Sequence, residues 1–212
     1  MHTRSLHVVA VLAIAGAVFP AVTDAQNYPA KSIRLIVPFP PGGSTDLMGR
    51  VLGAKLGEAF GHQVIVENRP GASGMIGNEL VARATPDGYL LTLGTIGAMS
   101  VNPSLFKSVP YDSTRDFAPI TLTGNVENLL VVPSIEITDW QGLLAPAKTP
   151  AAVVERLNRE TLRILNEREV KERLAAAGLQ VVTTTPAQFS EFIRAEIDKW
   201  GKVIRTAGIK PE

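Results

Sequence analysis

Residues 42 to 46, Gly-Gly-Ser-Thr-Asp, close an apolar run and open a helical pattern, and they are the residues of this chain best suited to holding an ion. Backbone N–H groups at a helix start lack intrahelical partners, and the helix dipole is positive there. A strand that ends in glycines and passes straight into a helix therefore favours a carboxylate or a phosphate. The same residues also serve simply to turn a corner, so composition alone leaves both readings open. No lysine follows the glycines, which excludes a Walker A loop, and the spacing is not GxGxxG. Asp46 stabilises a first helical turn by its charge. Beside a bound anion it would repel, unless it accepts a hydrogen bond or meets a cationic part of the ligand.

Two further turns have the same character. "ENRPGASGMIG" and "LGTIGAMS" each follow a predicted strand and lead into a predicted helix, which places Ser73 or Gly74 and Thr95 or Gly97 at the sheet edge that carries Gly43 and Ser44. Catalysis finds little support. His62 lies in "FGHQV" at the opposite edge, there is no G-x-S-x-G, and Glu58 and Glu67 have no spacing that suggests acid–base work. The chain has no cysteine, which excludes thiolate nucleophiles, disulfides and His/Cys metal clusters. No catalytic residue, metal or cofactor is expected.

The elements that must position these turns alternate. "SIRLIVPF" reads as a strand buried on both faces. After it, Leu47, Met48, Val51, Leu52, Leu56 and Phe60 recur at helical spacing and Gly61 stands at the C-cap. "QVIVEN", "GMIGNELVARA" and "GYLLTLGT" continue as strand, helix and strand, the order of βαβ units. "IGAMSVNPSLF" suits a short helix, "FAPITLTG" and "NLLVVPS" suit two strands, and "IEITDWQGLLAPAKTP" a further strand with a Pro-rich turn. Everything beyond is expected to be helical. Thr149 is expected as an N-cap with Pro150 at N1, Gly178 as a helix end, and Thr185 with Gln188 as a capping box. The stripe Phe189, Ile193, Ile197, Trp200 and Ile204 is expected to pack on the sheet.

Composition narrows the classes further. The 212 residues are 45% hydrophobic, enough for one substantial domain or two small ones, and 21 basic against 20 acidic residues give a net charge of +1. That balance carries no footprint of a nucleic-acid binder. Residues 1–25 combine Arg4, an apolar core from Val8 to Phe19 and small residues before Gln26, the pattern of a secretory signal peptide cleaved after Ala25. The alternative, a membrane anchor, falls short of the roughly 20 apolar residues a span needs. An exported chain without cysteine fits a bacterial periplasm.

Several long stretches, in order, are recognisable: "YPAKSIRLIVPFPPGGSTDLMGR", "VIVENRPGASGMIGNELVARATPDGYLLTLGT", "NPSLFKSVPYD", "DFAPITL" and the tail from "WQGLLAPAKTP" to "RTAGIK". Together they resemble the Bug family, the periplasmic solute-binding proteins of tripartite tricarboxylate transporters. The resemblance implies two α/β domains with a small carboxylate-bearing solute held between them, no catalysis, and membrane components of the transporter as partners. It implies a first binding loop of Phe39, Gly42, Gly43, Ser44, Thr45 and Asp46 and a second of Thr95, Ile96, Gly97 and Ala98. It breaks at "VVPSIEITDWQGLLAP", where segments that the family separates by a small domain are nearly adjacent. The expected fold is thus an α/β first domain, a mostly parallel sheet flanked by helices, with the second domain largely missing. The expected division is a signal peptide (1–25), the N-terminal part of the first domain (26–134), a rejoined hinge (135–150) that exposes residues such as Trp140 and Leu143, and C-terminal helices packing on the first domain (151–212). Two functions are consistent with this: a periplasmic solute-binding protein weakened by the loss, or a folded, non-binding remnant or interaction module.

Overall fold

The computed structural model describes residues 28–129 and 136–210; residues 1–27, where a signal peptide is expected, and junction residues 130–135 lie outside them. Ile33–Val37 forms β1, almost wholly buried, as an apolar run covered on both faces must be. Helix α1, Ser44–Phe60, lays Met48, Leu52 and Leu56 on the sheet. It approaches closely because Gly49 faces β1: a Cβ there would lie 2.7 Å from Val37 Cγ2. Strand β2, Val64–Asn68, pairs parallel with β1, Ile33 opposite Val64. Helix α2, Met75–Ala82, leads to β3, Leu90–Thr95, parallel to β1 on its other side. The carboxyl ends of β1, β2 and β3 therefore share one edge, as the βαβ reading requires.

The other half of the sheet departs from the mostly parallel arrangement. A π-helical segment at Gly97–Val101 and the single-turn helix α3, Asn102–Leu105, lead to β4, Phe117–Leu129, and β5, Glu136–Pro146. These two strands form one long antiparallel hairpin, from Phe117 opposite Pro146 to Leu129 opposite Glu136. Only residues 130–135 separate them, and a parallel pair needs a crossover of a dozen or more. β5 lies antiparallel between β3 and β4, and the two-residue β6, Leu179–Gln180, pairs antiparallel with β4. The order is β2-β1-β3-β5-β4-β6, a mixed sheet.

Smaller expectations are also corrected. The two strands read in "FAPITLTG" and "NLLVVPS" are, as far as Leu129, a single strand that absorbs register shifts at Pro119/Thr121 and Leu122/Gly124. The helical C-terminal part contains β6. Trp140 and Leu143 are buried rather than exposed, because β5 is an interior strand. Thr149 does not cap the next helix: Pro150 occupies that position and the Thr149 hydroxyl donates to the Pro146 carbonyl at 2.7 Å.

Helices α4, Ala151–Leu165, and α5, Arg168–Ala175, cover the face already carrying α1, in a cluster with Leu35, Leu52, Leu157 and Leu174. Helix α6, Pro186–Thr206, opens with the expected Thr185–Gln188 capping box and covers the other face with Phe189 and Ile193. There Trp140 meets Phe189 and Phe192 edge-on, both with ring centroids at 5.6 Å. Each such buried side chain contributes about 1.5–3 kcal/mol over exposure, so two filled faces fix the sheet that carries the loops.

Candidate functional site

The first loop is held from behind by an acid. Asp46, 4% exposed, accepts from the Gly42 N–H (3.0 Å) and Arg50 Nε (2.9 Å) on Oδ2, and from Asn68 Nδ2 (2.9 Å) on Oδ1. Asn68, the last residue of β2, also donates to the Phe39 carbonyl at 3.0 Å. The carboxylate is thereby turned to the protein, which resolves the conflict between an acid and an anion at one helix start. Burial works to raise its pKa, but the bonds from Arg50, Gly42 and Asn68 and the Arg50 charge outweigh it and hold Asp46 below the ordinary range.

This scaffold leaves the helix start open. Gly43 is the N-cap of α1 and no side chain caps it, so the first-turn N–H groups keep their outward direction without an intrahelical acceptor. Gly42 sits at φ 95°, a region that glycine enters without cost. A Cβ built at Gly42, Gly43 or Gly97 would meet no atom within 4 Å, so these glycines face open space.

The three turns do converge. A Cβ at Gly74 would lie 3.3 Å from both the Ala98 Cβ and the Phe39 ring. Residues 71–74 all have positive φ, including Ala72 (46°) and Ser73 (53°), a bend costing about 1–3 kcal/mol at each non-glycine residue. Their neighbours hold it: Asn102 Nδ2 donates to the Ser73 carbonyl (3.2 Å) and buried Asn78 to the Gly74 carbonyl (2.9 Å). In the second loop Thr95, Ile96 and Ala98 are buried, and the Ala98 carbonyl accepts from Tyr111 Oη at 2.8 Å. That loop thus offers the backbone around Gly97 rather than its side chains. His62 lies beyond the far end of α1, away from these turns.

β5 adds two residues that the sequence reading did not single out. Gln141, fully buried and opposite Thr95, donates from Nε2 to Ser44 Oγ at 3.1 Å. Its Oε1 has no hydrogen-bond partner, and neither has the buried Oδ1 of Asp139, two residues back on the same strand face. Burial raises the Asp139 pKa, opposed by a bond from the Ile96 N–H. Alternation in "DWQ" could have put Asp139 and Gln141 on one face; only the placement of β5 beside β3 brings that face to Ser44.

Elsewhere, an open groove of about 810 Å³ lies between α2 and the β1–β2 edge, but its arginines are engaged: Arg34 and Arg69 by Glu67, and Arg83 by Glu79. Among the described residues no cluster of three His, Cys, Asp or Glu side chains could hold a metal ion, and no helix is long and apolar enough to cross a membrane.

Comparison with known proteins agrees with this architecture. The family model described as "Tripartite tricarboxylate transporter family receptor" matches residues 48–136 and 131–209, two stretches that overlap at the β4–β5 junction. Protein BugT of Bordetella pertussis is 42% identical over 159 residues, 74% of this chain and 48% of its own length; the chain spans between 32% and 48% of the length of the curated relatives it matches. A Rhodopseudomonas palustris protein solved with adipate superposes with TM-score 0.82 at 21% identity, covering 87% of this chain and 100% of that one. MatC from Rhodopseudomonas palustris, solved with bound malate, gives 0.75 at 20%, covering 84% and 100%. At such identities these two show the fold alone. The chain is an α/β unit of the periplasmic binding-protein kind with the second domain missing.

Proposed function

Because the chain belongs to the tripartite tricarboxylate transporter receptor family, we propose that it is a periplasmic solute-binding protein that holds a small carboxylate-bearing solute without catalysis. The observation that carries this reading is the uncapped start of α1, its glycines facing open space and the acid of its first turn consumed by Gly42, Arg50 and Asn68. Gly43, Ser44 and Thr45 would supply donors, Gly97 the second contact and Phe39 an apolar wall, with Asp46 holding the loop through the Gly42 N–H. Structural neighbours solved with adipate and malate support a carboxylate as the solute class. Export by cleavage after Ala25, and delivery to the membrane components of a tripartite transporter, complete the reading.

Loss of the facing domain weakens such a site. A hydrogen bond to a charged group contributes about 1.5–3 kcal/mol, so two lost from the opposite jaw move a micromolar binder towards millimolar. This motivates the second reading, a folded module that binds no solute, in which β4 and β5 pair with each other inside the sheet. A thermal melt with millimolar adipate, malate, citrate and glutamate separates the two. A ligand at about a hundred times its Kd stabilises by roughly 2.7 kcal/mol, a rise of about 5–10 °C. A cooperative melt unmoved by every acid tested would leave only the second reading.

A further inference from the structure

Two oxygens on one face of β5, Asp139 Oδ1 and Gln141 Oε1, are enclosed without a hydrogen-bond donor. They belong to residues i and i+2 of a strand, whose side chains leave on the same face roughly 6.8 Å apart along it. A buried oxygen without a donor costs about 1–3 kcal/mol, and native structures rarely tolerate a neighbouring pair of them. One proton between the two satisfies both.

We propose that Asp139 and Gln141 are positioning residues for Ser44: protonated Asp139 donates to Gln141 Oε1, Gln141 Nε2 donates to Ser44 Oγ, and the Ser44 hydroxyl proton is left to point at an anion held at the start of α1. The ionised state reverses the chain. A carboxylate at Asp139 needs a donor, which Gln141 supplies by turning its amide over, since the two ends of that group are alike in shape. Gln141 Oε1 then accepts a hydrogen bond from the Ser44 hydroxyl, and Ser44 presents only lone pairs to the crevice. Carboxylate affinity therefore falls as pH rises through the Asp139 midpoint.

The surroundings favour the protonated form. Val126 opposes Asp139 on β4, β3 and residues 96–101 carry no titratable side chain, and the nearest acid on α1, Asp46, is neutralised by Arg50. Burial is what raises the Asp139 pKa, with only the Ile96 N–H acting the other way.

The inference rests on the reading of the crevice as a carboxylate site, so its test has one arm that needs no ligand. In the unliganded full chain, NMR titration should show the Gln141 side-chain amide moving with the midpoint of the Asp139 carboxyl carbon, above the ordinary aspartate range, and Asp139→Asn should abolish that movement. An Asp139 that titrates in the ordinary range, or a Gln141 amide indifferent to it, overturns the proposal. In the second arm, calorimetry with adipate and malate from pH 4.5 to 8 should show wild-type affinity weakening about tenfold or more across the midpoint. Asp139→Asn, whose amide donates permanently, should keep the low-pH affinity throughout, and it controls for the acids' own ionisation. Equal pH profiles for wild type and Asp139→Asn overturn the proposal. Absence of binding at every pH overturns the carboxylate reading, while the ligand-free arm still decides the hydrogen-bond chain.

Discussion

Asp46→Ala removes the group that fixes the anion loop, and its effect can be worked from three bonds. The carboxylate accepts from Gly42 N–H, Asn68 Nδ2 and Arg50 Nε at 2.9–3.0 Å. Arg50 is half exposed and returns to water, so its pairing adds little. The Gly42 and Asn68 bonds are made to a buried ion, worth about 1.5–3 kcal/mol each; with Gly42 partly rehydrated, the combined loss is about 2–4 kcal/mol. At about 2–4 °C per kcal/mol for a chain of this size, the melting temperature at pH 7 should fall by roughly 4–16 °C. Adipate affinity should fall about tenfold or more, because Gly42 and Gly43 must then be ordered at the expense of binding energy. The folded-state pKa is depressed, so the contribution of Asp46 is full above the unfolded-state value and disappears as pH falls through the folded one. The gap between wild type and variant should close in acid. A melt within about 1 °C of wild type at pH 7, with unchanged affinity, refutes the account.

Three more outcomes follow from other contacts. Ser44→Ala should weaken adipate binding by about 10- to 100-fold, the cost of one hydrogen bond to an ion, and should lower urea stability by about 1–3 kcal/mol because buried Gln141 Nε2 loses its acceptor. Gly142→Ala should destabilise by about 1–3 kcal/mol or more in urea, because the new Cβ would press into the Phe189 ring on the filled face of the sheet. Glu67, hydrogen-bonded by Arg34 and then Arg69, has its pKa lowered to about 2. Its stabilisation is complete above the ordinary value and is lost as pH falls towards 2, so the urea midpoints of wild type and Glu67→Gln should differ at pH 6 and converge near pH 2.

The sequence by itself determined the parts governed by local chemistry. An apolar run ended by Gly42–Gly43 makes a buried strand and a helix start, Gly61 ends α1 in left-handed backbone, and Thr185 with Gln188 closes the start of α6, because each depends on residues a few positions apart. The convergence of three small-residue turns was legible for the same reason, since parallel βαβ units bring equivalent turns to one edge. Long-range pairing was not legible. Whether the rejoined hinge would stay exposed or enter the sheet depended on which edge β3 left free, and only the folded sheet, with β5 against β3, buried Trp140 and carried Gln141 to Ser44. Asp46 shows the same division: its charge at a helix start could be read from the chain, but its partners Asn68 and Gly42 come from separate elements, and their approach decides that it holds the loop rather than repelling what the loop would bind.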